Sequence, residues 1–352
     1  MNSPLRLWYQ RYFSDPQVLA LALLLVVGVA VVVLWGRILA PLIAAVIIAF
    51  LLDAAVERLA CCPGMPRLVA VGIVFTLFMA LVIGILLILV PLVLQQAGQL
   101  LREVPAMLSH GQQALMQLSQ HYPALFSEQQ ALALIDVLRG EAARLGQRIL
   151  SLSLASLISV IALLVYLVLV PLLVFFFLKD KALILAWLRR FLPVRNGLVR
   201  QVWREVHAGL GSYVRGKFLE ILIVWFVTWV TFLLLGMNYA MLLSVLVGLS
   251  VIIPYVGAAV VTIPVAVVAY LQWGLDSAFW YALVAYGVIQ FLDGNLLVPL
   301  LFSEVVKLHP VAIIAAVLFF GGLWGLWGVF FAIPLATVVK AVLHAWPSGE
   351  PA

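Results

Sequence analysis

The sequence predicts an all-α polytopic membrane protein with about eight hydrophobic segments, and three observations carry that prediction. Hydrophobic residues make up 66% of the 352, charged residues 10%, and the mean hydropathy is +1.22. No water-soluble domain of this length has that balance. Charge is also concentrated: the segment 179–217 holds nine Lys and Arg against Asp180 and Glu205, a surplus of +7 within a net +6, leaving −1 for the remainder. One basic segment in a membrane protein marks its cytoplasmic side. Finally, the apolar runs of the last third are broken by Gly and Pro, which lipid tolerates only where protein or water satisfies the freed backbone.

Residues 1–94 are read as three transmembrane helices. Val18 to Trp35 is uncharged and about 18 residues long, enough for a ~30 Å hydrocarbon core. Arg6 and Arg11 precede it without a small-residue cleavage site, so it reads as a retained first span. Arg37 breaks the run, and Ile38 to Leu52 is expected to return across the membrane, with Pro41 near its start. A turn-forming loop follows, holding the adjacent Cys61 and Cys62 as free thiols between Asp53 and Arg67. Leu68 to Leu94 crosses again.

Residues 95–151 differ in kind, mixing Gln, Glu and Arg with Leu and Ala at helical spacing around Pro105 and Pro123. Four Arg balance four acids there, so nothing retains the segment in the cytoplasm. A small helical extracytoplasmic domain is expected. Residues 152–178 form transmembrane helix 4, and 179–217 a basic cytoplasmic amphipathic segment. Its Trp187, Phe191 and Trp203 among arginines suit an anionic headgroup surface.

Residues 218–342 form the expected transport core, followed by a short cytoplasmic tail at 343–352. Ile221 to Leu275 carries no charge. Past one span, Ala240 to Leu271 overshoots a bilayer as a single helix and is broken at Pro254 and Gly257, then at Pro264. Val311 to Val339 is similarly broken at Gly321, Gly322, Gly325 and Gly328, with Pro334 beyond. The stretch V-G-A-A-V-V-T-I-P-V-A-V-V ending at Val268 is similar to W-G-V-F-F-A-I-P-L-A-T-V-V ending at Val339. Paired interrupted helices of this kind point to a transport site built from an internal repeat. Two re-entrant hairpins entering from opposite sides is one architecture; eight ordinary spans with one kinked is the other. Both end with the N- and C-termini in the cytoplasm.

Between the two broken stretches lies Asp293, flanked by a turn or more of apolar residues. An intramembrane carboxylate is costly and marks a functional site. Tyr286, Gln290 and Asp293 fall at i, i+4 and i+7, on one helix face. With Asn295, Pro254, Tyr255 and Gly257 they are the candidates for substrate or ion contact. Pro264, Pro299, the four glycines and Pro334 are candidate hinges. Arg215, Lys217, Glu220 and His309 are candidates for an interface or gate, Glu220 as an ion-pair partner of its basic neighbours. A structural role, locking helices by hydrogen bonds, competes for Tyr286, Gln290 and Asp293, and a solvated loop position for His309. The chain has no H-E-x-x-H, G-x-S-x-G or P-loop, so neither an enzyme nor ATP-driven transport is expected, and no cofactor, metal or nucleic-acid partner.

G-S-Y-V-R-G-K (211–217), I-I-P-Y-V-G (252–257), I-Q-F-L-D-G-N-L-L-V-P (289–299), L-H-P (308–310) and G-G-L-W-G-L-W-G-V-F-F-A-I-P-L-A (321–336) together resemble the autoinducer-2 exporter family over nearly the whole chain. The resemblance implies an inner-membrane permease, a homo-oligomer, moving a small polar solute of the signalling-furanone type, with sodium/proton antiport as the alternative. Lys217 departs from the glutamine many relatives carry. Of another class altogether is a non-transporting membrane scaffold or regulator in which Asp293 is structural glue.

Overall fold

The computed structural model describes residues 16–103, 109, 140, 156–190, 197–254, 256–302 and 309–345. These are helical throughout, with no strand among them. The 95–151 segment beyond Glu103, the tail past Ala345, and Tyr255 lie outside the described residues, apart from the isolated positions 109 and 140.

Helix α1 runs Pro16–Ala60 and α2 Arg67–Glu103, joined by the exposed Cys61–Cys62 loop, whose cysteines are both free. The reversal expected at Arg37 is absent: α1 continues through it and through Pro41. Leu34-Trp35-Gly36-Arg37 supplies one glycine and no polar turn cluster, and one proline removes a single backbone bond. The 45 residues make about 67 Å of helix at ~1.5 Å per residue, so the first two expected spans are one element. Likewise α2 continues past Leu94 to Glu103 through a π-helical turn at Ile85–Leu89, so the helix runs without a break across the boundary expected at Gln95.

Helix α3 (Ser156–Lys179) returns to pack Val174 and Leu178 against Ala45, Ala49 and Val56 of α1 and Ala70, Val71 and Val74 of α2. Small residues at the contacts let the helices approach closely. Where these helices meet, Asp53 of α1 accepts from Arg67 of α2 (3.3 Å) and from Lys181, which opens α4 (Lys181–Arg189); Lys181 also donates to Glu57 (2.9 Å). This cluster defines one end of the molecule, called here the basic end.

Helix α5 (Gly197–Leu234) leaves the basic end with Gly211 against Phe50 of α1. Beyond its far terminus the chain meets α2: Gln96 accepts from the Leu242 N–H (2.8 Å), and Tyr239 hydrogen-bonds Glu103. Burial and the Glu103 carboxylate push the Tyr239 phenol up to about 12. Helix α6 (Ala240–Ser250) turns at Val251–Pro254 into α7 (Val256–Trp273). The two ends of this hairpin come back together, since Gln272 donates to the Gly236 carbonyl (2.7 Å) and accepts from the Asn238 N–H (2.7 Å).

Helix α8 (Ser277–Phe302) starts from Asp276, whose side chain caps Ser277 N–H at 2.7 Å, and contains a π-helical turn at Asp293–Leu297. After it come α9 (Pro310–Trp324), α10 (Leu326–Phe330) and α11 (Ala332–Ala345). This second hairpin seats Ile313 and Ile333 against Tyr213, Val214 and Phe302 near the basic end.

Of the expected hinges, Gly325 alone breaks a helix, at φ +61°, where an L side chain is strained. Pro264 and Pro299 lie inside α7 and α8, and Gly321, Gly322 and Gly328 inside α9 and α10. Pro334 sits in the first turn of α11, where backbone N–H groups have no helical partner to lose. Gly257 and Gly328 instead allow close contact: a Cβ on either would lie 1.8 Å from a carbonyl oxygen, of Ser250 and Phe320 respectively.

Among the described residues, five helical stretches are long and apolar enough to cross a membrane: Ile38–Ala60, Arg67–Glu103, Gly211–Leu234, Val256–Trp273 and Ser277–Phe302. Val165–Lys179, Ala240–Ser250 and Val311–Trp324 are apolar but shorter. Leu77, Leu87, Leu234, Leu300 and Leu318 stand outward and exposed along them. That apolar exterior is suited to lipid.

Candidate functional site

The polar interior is built on α5 and α8. Lys217 and Glu220 are three residues apart, on one face of α5, and Gly216 beside them brings that helix onto α8; a Cβ there would sit 2.8 Å from the Phe302 ring and 3.2 Å from the Leu301 carbonyl. The Lys217 ammonium donates to both Glu220 oxygens, at 3.1 and 2.9 Å, with 5% and 2% of the two residues exposed. Its Nζ lies 5.8 Å from the centroid of the Phe302 ring. The expected ion pair is therefore present, but buried between helices. A pair so placed loses hydration that mutual attraction only partly restores, and removing one partner strands the other charge.

Asp293 opens the π-helical turn of α8, the segment that packs on α5. Such turns displace one residue from the regular ladder and recur at functional sites. Its Oδ1 is shut off from the surface and accepts no hydrogen bond from the described residues. Lys217 and Asp293 interact electrostatically, as do Glu220 and Asp293. The three ionisable groups thus form one cluster that a linear reading separates by more than seventy positions.

Tyr286 and Gln290 make a second polar group, about 10 Å and about 4.5 Å back along α8 from Asp293 respectively. The Tyr286 hydroxyl donates to the Ala258 carbonyl (3.0 Å) and accepts from Gln290 Nε2 (3.0 Å), with the Thr262 hydroxyl 3.3 Å away. These bonds pin α8 to the outgoing arm of the first hairpin. Pro254 lies in that hairpin's turn, and its carbonyl accepts from the Val256 N–H (2.7 Å).

Other candidates lie elsewhere. Asn295 is exposed and donates to the Phe291 carbonyl one turn back (2.9 Å), which turns it away from the cluster. Arg215 is exposed, with its guanidinium 4.6 Å from the Phe50 ring centroid and Glu57 in electrostatic reach, so it belongs to the basic end. His309 is exposed and caps α9, Nδ1 accepting from the Val311 N–H at 3.3 Å.

Sequence reasoning missed Thr228 and Trp225 of α5. Thr228 is wholly buried with Oγ1 unpartnered among the described residues, as is Trp225 Nε1. Glu220, Val224 and Thr228 follow at i, i+4 and i+8, and that spacing was the available signal.

Residues 21–348 match the family described as AI-2E family transporter. The chain is 47% identical over 343 residues to the Escherichia coli (strain K12) protein that carries the permease name PerM, covering 97% of each. It is 27% identical over 315 residues to the Bacillus subtilis (strain 168) protein that carries the transport-protein name YueF, covering 86% of this chain and 82% of that one. A profile match over almost the full length, the near end-to-end identity with the first relative and the long apolar helices agree, and the chain belongs to the AI-2E transporter family of multi-pass membrane proteins.

Proposed function

We propose that the protein is a secondary transporter of the bacterial inner membrane that moves a small polar solute, of the furanone signalling class, in exchange with or alongside a monovalent cation carried at Asp293. One observation carries this reading: a carboxylate oxygen within the span-length apolar helix Ser277–Phe302, closed to the surface and without a hydrogen-bond partner among the described residues, next to a buried ammonium–carboxylate pair. An uncompensated charge in that position is costly, so it is retained where protonation or cation binding is part of the work. The polar interface between α8 and α7 supplies the solute-facing candidates Tyr286, Gln290 and Thr262.

In this reading the α6–α7 and α9–α11 hairpins are re-entrant, entering from opposite faces as an inverted repeat. The return of Gln272 to Gly236 and Asn238 supports this for the first, and the seating against Tyr213 and Phe302 for the second. The glycine-to-carbonyl contacts at Gly257 and Gly328 support the equivalence of the two. The basic end faces the cytoplasm and its anionic lipid, and the functional unit is a homo-oligomer.

The test is flux into inside-out vesicles, with the autoinducer furanone, sodium and protons followed separately for the wild type and Asp293→Asn. Loss of flux in a folded variant is expected. Normal transport with unchanged pH dependence in Asp293→Asn sinks the reading. Sodium-for-proton exchange without furanone movement selects the antiporter alternative instead.

A further inference from the structure

We infer that Lys217 is a built-in cation that occupies half of a two-carboxylate site, so that the Glu220–Asp293 cluster takes one monovalent cation per chain and excludes divalent ones. The inference rests on the reading of Asp293 as an ion-carrying group.

Two carboxylates and one ammonium leave the cluster at −1 when all three are ionised. Lys217 is committed to Glu220, donating to both of its oxygens, and the pair is enclosed by the α5–α8 contact at Gly216 and Phe302. Asp293 Oδ1 is the acceptor left over. One positive charge neutralises the cluster; a second has nothing to neutralise, and a divalent ion leaves a net +1 in surroundings that do not solvate it. Without the ammonium, the same two carboxylates carry −2, the charge that suits Ca²⁺ or two protons.

The surrounding groups do not alter this count. Tyr213 of α5 is a neutral phenol bonded to the Phe330 carbonyl. Arg215 turns outward over Phe50 of α1. Asp53 and Glu57 of α1 are held by Lys181, and Arg67 also pairs with Asp53. Lys340 of α11 has an interaction of its own.

The experiment uses the full-length purified protein, with thermal unfolding and intrinsic tryptophan fluorescence as readouts. Na⁺ is titrated at fixed pH, pH is varied without Na⁺, and Ca²⁺ is titrated against choline at matched ionic strength. In the wild type, a saturable response to Na⁺ or to pH alone is expected, identifying the cation as sodium or the proton, with no specific Ca²⁺ response. Lys217→Gln, at −2, is expected to bind Ca²⁺ at least tenfold more tightly than the wild type. The double variant Lys217→Gln/Glu220→Gln returns to −1 without stranding a buried charge, and is expected to keep the monovalent response and lose the Ca²⁺ response. Asp293→Asn, at zero, is expected to lose both.

Ca²⁺ binding by the wild type as tight as by Lys217→Gln overturns the inference. Where the single Lys217 variant does not fold, loss of the monovalent response in the double variant overturns it as well. A transport-dead Asp293→Asn combined with Ca²⁺ indifference in Lys217→Gln removes this inference alone. A fully active Asp293→Asn removes the reading beneath it.

Discussion

Gly257 and Gly328 show what one hydrogen atom decides. Each sits where a Cβ would overlap a carbonyl oxygen at 1.8 Å, a contact that no rotamer change relieves because both partners are backbone. Overpacking of this severity costs about 3 kcal/mol or more. Gly287, in the middle of α8, has nothing within 4 Å of its virtual Cβ, and alanine there is expected to gain up to about 1 kcal/mol from helix propensity. Thermal unfolding in detergent should therefore separate Gly257→Ala and Gly328→Ala, both strongly destabilised, from Gly287→Ala, unchanged or improved. Equal behaviour of all three would contradict the close packing of the hairpin arms. The paired glycines were legible in the sequence because G and I-P recur in the same order; the spacing from Ser250 to Pro264 even equals that from Phe320 to Pro334, at 14 residues. What they do was not legible. A glycine in an apolar run reads as a hinge, whereas only Gly325 has hinge geometry, because the remaining positions are occupied by ordinary helix whose tertiary contacts are invisible in one dimension.

At the scale of elements, the clamp of α1, α2 and the start of α4 has a pH dependence with a definite sign. Burial works against the Lys181 charge, but hydrogen bonds to Asp53 and Glu57 outweigh it and hold the ammonium above its ordinary value. A group whose folded pKa is raised contributes its stability below the unfolded value of about 10.4 and loses it as pH rises through the folded one. The stability difference between the wild type and Lys181→Met should be constant from neutral pH to about 10, then shrink at higher pH. Because the Lys181 side chain is more than a third exposed, the difference should also fall with salt. A difference that grows above pH 10 would contradict the clamp. The sequence marked the basic 179–217 segment, but not its ion pairs to Asp53 and Glu57, which join residues more than 120 positions apart. It placed an extra turn at Arg37, because a charge inside an apolar run is the usual sign of a loop. A single charged residue does not by itself end a helix, and α1 is unbroken.

For the whole molecule, the decisive question is how many times the chain crosses between α5 and the C terminus. Helix α6 has 11 residues, about 16 Å of rise, roughly half a hydrocarbon core. It cannot cross alone, and α7 ends where α6 began, at Gly236 and Asn238. Under opposed re-entrant hairpins, α5 carries the chain from the cytoplasm outward, the first hairpin returns it to the outer face, and Asp276–Ser277 is external. Helix α8 then carries Asp293 through the membrane, and position 303 is cytoplasmic. Under ordinary spans with one kink, those two positions exchange sides. In a variant lacking Cys61 and Cys62, which are exposed and would react on their own, a membrane-impermeant thiol reagent applied to intact cells should label Ser277→Cys and leave Ser303→Cys unlabelled until the cells are opened. The reverse pattern eliminates the inverted repeat. It would also leave the matched glycine contacts at Gly257 and Gly328 as convergent packing, since two segments that cross the membrane in the same direction are not related by an axis in the membrane plane.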